Sequence, residues 1–297
     1  MKKGESFRGI TPPVLTTFTQ DEKIDTGLYR REVRYLLDAG VHCISPGGST
    51  GENAALSDSE LVQLIGVIRE ENRKGIPVIA GVARCSTQAA ITTALAAKSA
   101  GADALMVTPT FYNVLVPDDQ GNEKYYRAIS DATGLPIIVY NVIPQNEISS
   151  ELFSRLLDIE NVIGVKQSVG GIMAMYDMKI MCGDRGMVFA ATDEMIYSCF
   201  AAGADGAISA ILSLFPRLCV KMWDLTGAGR HQEALKIQNR LYPLWKIVRG
   251  PQFPARMKAA AKLLGRDCGY SKSPMTEVGS ELGGRMAAIL KTVSDDP

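Results

Sequence analysis

Asn161-Val-Ile-Gly-Val-Lys166-Gln-Ser-Val-Gly170 is a short β-branched run that closes on a lysine and then turns through glycine. Val162, Ile163 and Val165 suit a strand covered on both faces, as parallel sheets require. An ammonium at the end of such a strand carries a large desolvation cost. Burial favours the neutral form of an amine, and a neutral amine beside a cleft attacks carbonyl carbon, the first step of Schiff-base catalysis. The plainer alternative is a lysine that snorkels from the strand end to solvent.

Working outward, similar strands recur on both sides. Residues 136–141 (Pro-Ile-Ile-Val-Tyr-Asn) precede it, and 187–190 and 206–210 follow it. Towards the N-terminus lie 104–109, 77–81, 41–45 and 10–18, the last carrying two prolines that suit an edge or an end. Helical spacing separates these runs. Asp25 and Thr26 cap a helix to Ala39, Ser57 caps one with Leu61, Leu64, Ile65 and Ile68 on one face, and Ser86 caps a third. Ala100-Gly-Ala-Asp-Ala104 and Ala202-Gly-Ala-Asp-Gly206 each close a helix and open a strand, so one turn is reused. Eight strand–helix units at intervals of about 25 residues predict an α/β fold, a (β/α)8 TIM barrel, rather than a doubly wound sheet. No G-x-G-x-x-G follows the first strand. From Leu214 the strands cease, and helices are predicted at 218–225, 231–248, 254–264 and 277–292. Residues 1–225 are assigned to the barrel, and 226–297 to a C-terminal helical extension of the same domain.

The bulk numbers exclude several function classes. The chain has 297 residues, 46% apolar and 22% charged, which is ordinary globular composition. Net charge is zero and the pI about 6.7, so neither nucleic acid nor an anionic membrane is an expected partner. Apolar stretches are broken well before membrane-spanning length. The basic start has no apolar run behind it, unlike a signal peptide. Six dispersed cysteines without a C-x-x-C pair suit reduced thiols and a cytoplasmic location. Two histidines, His42 and His231, weaken zinc and Ser-His-Asp readings. No metal or organic cofactor is expected.

In such barrels chemistry sits at the C-terminal ends of the strands. Those ends supply Ser49 and Thr50, Tyr112, Tyr140, Lys166, the pair Asp193-Glu194, and Ser209. Hydroxyls, one amine and two carboxylates suit proton shuttling around an imine. Gly47-Gly-Ser-Thr-Gly-Glu52 lets backbone N–H groups converge on an anion, or else is an ordinary tight turn. It lacks the Gly-Lys-Ser/Thr ending of a Walker loop. Tyr140 has a packing alternative, and Asp193-Glu194 have one as helix N-terminal charges.

The set Gly48-Ser-Thr-Gly-Glu52, Tyr140-Asn141 and Gly164-Val-Lys166 resembles the dihydrodipicolinate synthase/N-acetylneuraminate lyase family, and the likeness runs from Gly9 to the C-terminal helices. The resemblance implies that Lys166 forms a Schiff base with pyruvate or another 2-oxo acid. It also implies that Gly48, Ser49 and Thr50 hold the carboxylate, that Tyr140 shuttles protons, and that Tyr112 enters a neighbouring subunit's site. A homotetramer built from dimers is implied as well. Members of the lysine pathway follow Tyr-Asn-Val-Pro with Ser-Arg, whereas this chain has Tyr140-Asn-Val-Ile-Pro-Gln-Asn146 and no arginine there. Thr108-Pro-Thr-Phe-Tyr-Asn113 carries one residue more than the family's usual run. Lys166-Gln-Ser168 and Asp193-Glu194 resemble the sialic-acid lyase side, in which such groups bind sugar hydroxyls. The lyase's serine after the last strand falls on Ala210. The expected function is therefore a Schiff-base lyase acting on a hydroxylated or sugar-derived 2-oxo acid, with Tyr140 moving protons through Thr50 and Tyr112, and with Ser168, Asp193, Glu194 and Ser209 binding substrate. Its rivals are dihydrodipicolinate synthase, for which Arg249 or another arginine must reach the site, and a non-catalytic 2-oxo-acid-binding barrel. A phosphate-handling barrel isomerase lacks its Gly-rich loop after the seventh strand.

Overall fold

The computed structural model describes residues 4–293; the first three residues, which include the basic start considered above, and the last four lie outside the described set. Strands β1 (Gly9–Ile10), β2 (Ile79–Val82), β3 (Ala104–Val107), β4 (Ile137–Asn141), β5 (Val162–Gln167), β6 (Met187–Ala190) and β7 (Gly206–Ala207) are joined in parallel in the order β1-β7-β6-β5-β4-β3-β2. The seam between β1 and β2 is filled by residues 41–45, where a full strand was expected. They pair only through single bridges, Pro13 with Ser45 and Ile44 with Val78. His42 N–H donates to the Ile10 carbonyl at 3.0 Å and Ile79 N–H to the Ile44 carbonyl at 2.9 Å, so the ring closes. Prolines 12, 13, 46 and 77 all fall on this seam. Each removes an amide donor from the ladder, which is why it is stitched rather than continuous. The result is an eight-position TIM barrel.

Helices α1 (Thr26–Asp38), α2 (Asp58–Glu71), α3 (Thr87–Ser99), α4 (Asp119–Thr133), α5 (Ser150–Leu156) and α6 (Gly171–Cys182) alternate with the strands. They are followed by α7 (Ile196–Ala201), α8 (Ile211–Leu214) and α9 (Pro216–Gly227). The three expected caps are present. Asp25 accepts from Leu28 N–H, Ser86 from Ala89 N–H, and Ser57 makes a capping box with Glu60. Beyond the ring come α10 (His231–Val248), α11 (Phe253–Leu263) and α12 (Ser280–Leu290). Ala234, Leu241, Leu244, Met257 and Met286 from these helices share one apolar cluster with Ile211, Leu218 and Met222 of the barrel. Among the described residues, the buried apolar side chains of the extension join the barrel's cluster.

Strand alternation divides the sheet into two faces. Val82, Leu105, Val107, Ile137, Val139, Val162, Val165 and Val188 point outward into the helices. Ile79, Ala104, Met106, Ile138, Ile163, Met187 and Phe189 fill the barrel. In β5 both Val162-Ile163 and Val165-Lys166 read out-then-in, which simple alternation forbids. The register explains it: Ile137 pairs with Val162 but Ile138 with Gly164, leaving Ile163 as an extra residue in a bulge. Without it, Val165 would face inward and Lys166 outward. Gly164 carries the bulge because a Cβ there would meet the Met187 carbonyl oxygen at 2.7 Å. The bulge aims the lysine.

Candidate active site

Lys166 is 4% exposed and stands beside Tyr140 across the β4–β5 pair. Its Nζ lies 3.7 Å from the centre of the Tyr140 ring. Both line a cavity of about 290 Å³ at the C-terminal ends of the strands. Ser49, Thr50, Ser168, Asp193 and Ser209 complete its polar wall; Val142, Ile208 and Phe253 are apolar. The structure thus brings together seven of the ten residues singled out in the sequence.

The loop carrying Ser49 and Thr50 is rigidly held. It folds as a 3-10 turn (Ser49–Gly51) after an extended Gly48. The Pro46 carbonyl accepts from Gly81 N–H at 2.9 Å, and the Thr16 hydroxyl donates to the Gly51 carbonyl at 2.7 Å. Gly81 permits this docking, since a Cβ there would sit 1.8 Å from the Gly47 carbonyl oxygen. A Cβ at Gly48 would meet Pro13 at 3.3 Å and Met106 at 3.6 Å, and the residue is not part of the cavity lining. Beyond the turn Glu52 adopts a left-handed φ of 62°. Its carboxylate is buried against Lys258 Nζ of α11 at 2.6 Å and accepts from Lys272 N–H at 3.0 Å. Burial lowers the Lys258 pKa, and the Glu52 carboxylate opposes that fall.

The Ser49 and Tyr140 hydroxyls are 3.0 Å apart. The hydroxyl in contact with Tyr140 is therefore that of Ser49, where the sequence suggested a route through Thr50; Thr50 is buried in the same wall. Asp193 is buried, and its Oδ1 accepts from Ile211 N–H at 2.7 Å. Desolvation raises its pKa to about 6; Ser209, the Ile211 amide and the charge of Lys166 pull the other way. The Ser209 hydroxyl nevertheless makes no hydrogen bond of good geometry among the described residues, and it lines the cavity. Asp193 is therefore in place as a wall of the site, with one oxygen already committed to α8.

Three of the candidates sit differently. Gly48 is outside the cavity lining. Glu194 is outside its lining; Trp245 Nε1 donates to Glu194 Oε2 at 2.7 Å, and Arg249 approaches Oε1 at 3.9 Å. Its carboxylate already has an indole partner that sequence spacing did not reveal. Tyr112 is 59% exposed and does not line its own chain's cavity. Four residues of the extension, Trp245, Arg249, Gly250 and Phe253, do line it. They lie far along the chain from every strand end, so the barrel pattern gave no signal for Trp245, Gly250 and Phe253; Arg249 is the arginine named above as the synthase reading's requirement, and it does line the cavity. Ser49 and Val142 also face a neighbouring cavity of about 510 Å³ with Phe111 and Lys272, and the site widens in that direction. No cluster of three or more His, Cys, Asp or Glu side chains suited to a metal occurs among the described residues.

A lysine at the end of a barrel strand, under a tyrosine and facing a hydroxyl-lined cavity, defines a class I lyase of the aldolase type. The family model for the dihydrodipicolinate synthetase family matches residues 6–293, and the chain belongs to that family. It is 32% identical over 277 residues to a 4-hydroxy-tetrahydrodipicolinate synthase of Methylobacterium radiotolerans, covering 93% of this chain and 92% of the relative. A protein of the same name from Acidiphilium cryptum is 31% identical, with 96% and 97% covered. Among solved structures, the chloride-inhibited dihydrodipicolinate synthase of Acinetobacter baumannii in complex with pyruvate superposes with a TM-score of 0.91 at 28% identity, covering 96% of this chain and 98% of that one. The Aquifex aeolicus enzyme gives 0.90 at 25% identity, covering 97% and 98%. No helix among the described residues is long and apolar enough to cross a membrane.

Proposed function

We propose that this enzyme forms an imine between Lys166 and a 2-oxo acid, and then cleaves or dehydrates a hydroxylated member of that class. The observation that carries it is the buried Lys166 amine 3.7 Å from the Tyr140 ring in a cavity walled by five hydroxyl side chains. The substrate carboxylate rests on the Ser49–Thr50 turn, whose first amides have no partner within the turn. The amine adds to the 2-oxo carbon and water leaves, giving a protonated imine. Removing the proton of a 4-hydroxyl then breaks the C3–C4 bond and sends its electron pair into the imine. An aldehyde departs, and an enamine remains. Protonation at C3 and hydrolysis release pyruvate and the free lysine. In a dehydration, a C3 proton is removed instead and the 4-hydroxyl leaves as water. Tyr140 moves these protons, with Ser49 as its relay partner. Ser168, Ser209 and Asp193 offer partners to substrate hydroxyls.

Tyr112 completes the site from a neighbouring subunit in a dimer of dimers. Two exposed apolar patches support such an assembly. Tyr112, Val114, Leu115 and Val116 form one in the segment between β3 and α4, and Met173, Tyr176, Ile180 and Met181 form another on α6.

The relatives' name favours a second reading, condensation of pyruvate with an aldehyde such as aspartate semialdehyde. The end of β4 runs Val142-Ile-Pro-Gln-Asn146 and provides no cation there for a second carboxylate, so the synthase reading depends on Arg249, which lines the cavity from the C-terminal extension. Both reactions assayed on one preparation separate the readings. We expect a kcat/KM for a hydroxylated 2-oxo acid above that for the semialdehyde; the reverse order would establish the synthase.

A further inference from the structure

Lys166 and Arg249 are the two cationic residues lining the catalytic cavity among the described residues, and the lyase chemistry uses only the first. Arg249 stands at the C-terminal end of α10 with extended backbone (φ −66°, ψ 146°). Its main chain is clamped: Arg249 N–H donates to the Trp245 carbonyl at 3.0 Å, and Arg256 donates to the Arg249 carbonyl at 3.0 Å. The side chain is not. It is 58% exposed, and the approach to Glu194 at 3.9 Å is too long for a hydrogen bond. Trp245 meanwhile holds the other oxygen of Glu194 at 2.7 Å, which keeps that carboxylate back from the cavity lining. A fixed backbone therefore presents an arginine whose donors are largely unspent, on the side of the cavity formed by the C-terminal extension.

We propose that Arg249 is a specificity-determining residue, and that it binds a second carboxylate at the far end of the substrate. This rests on the lysine-imine reading and names the substrate class, a 2-oxo acid with an anionic tail. A planar guanidinium matches a carboxylate through paired donors. A second carboxylate brought in without a cation would be costly to desolvate, and the end of β4 provides none. The same contact serves a hydroxylated dicarboxylate undergoing cleavage or the carboxylate of an incoming semialdehyde. It therefore holds for either direction of the chemistry.

The test measures imine trapping and does not depend on turnover. Pyruvate, 2-oxoglutarate, 2-oxoadipate, 2-oxopentanoate and 2-oxohexanoate are each titrated with borohydride present, and the adduct is quantified by intact mass. Charged-tail acids should half-saturate at about ten- to a hundredfold lower concentration than neutral-tail acids for at least one tail length, the range expected of a charge-assisted contact. Arg249→Ala should bring that ratio close to one, and Arg249→Lys should keep part of it. A ratio near one in the wild-type protein at both lengths, or one that survives Arg249→Ala, overturns the proposal. Pyruvate has no tail and reports the imine alone. If no acid gives an adduct, pyruvate included, the lysine-imine reading fails first and takes this inference with it.

Discussion

At the scale of single residues, the reactive end of the site depends on two neighbouring strand positions and one serine. In the proposed mechanism Lys166 provides the nucleophile; Tyr140 covers it, and Ser49 touches the Tyr140 hydroxyl at 3.0 Å. Removing that hydroxyl deletes a proton carrier but leaves the amine. Tyr140→Phe is therefore expected to lose on the order of 10²-fold or more in kcat, the usual contribution of a positioned acid–base group, while still trapping pyruvate. Near-normal turnover would return Tyr140 to a packing role. The types and places of these three residues were legible in the sequence, because a lysine closing a β-branched run and a Gly-Gly-Ser-Thr turn are local patterns. The indole on Glu194 was not legible. Trp245 lies 51 positions further along the chain, and only the packing of α10 on the barrel brings them together.

At the scale of elements, the turn proposed to hold the substrate carboxylate is tied to the C-terminal extension. The Glu52–Lys258 pair is 2.6 Å long with both side chains 5% exposed, and it links the end of that turn to α11. Removing one partner leaves the other charge buried and uncompensated. Lys258→Met should therefore cost about 3–5 kcal/mol in urea unfolding, and adding Glu52→Gln to it should recover part of that. A loss below about 1 kcal/mol would show that the pair contributes little. The helices and caps of this region followed from spacing, with α10 at His231–Val248 as expected. Two features did not follow. The seam at residues 41–45 lost its ladder to prolines on neighbouring segments, and the β5 bulge shows itself only through its pairing with β4. Sequence alternation alone would have left the direction of Lys166 open.

At the scale of the whole molecule, the eight-unit repeat made the barrel legible, and one shared core makes the extension part of it. Partner contacts leave no periodic trace, so the role of Tyr112 rests on assembly. If Tyr112 enters a neighbouring site, mixing Tyr112→Phe chains with Lys166→Ala chains should restore part of the activity that each lacks alone. No recovery in verified mixed oligomers would place Tyr112 outside the chemistry. Every role assigned to the cavity, from the carboxylate turn to the relay, presupposes a covalent intermediate on one lysine. Borohydride reduction with pyruvate, followed by peptide mass analysis, measures that directly. The account predicts one adduct per chain, on the peptide containing Lys166 and absent from Lys166→Ala; no adduct, or one on another lysine, would contradict it.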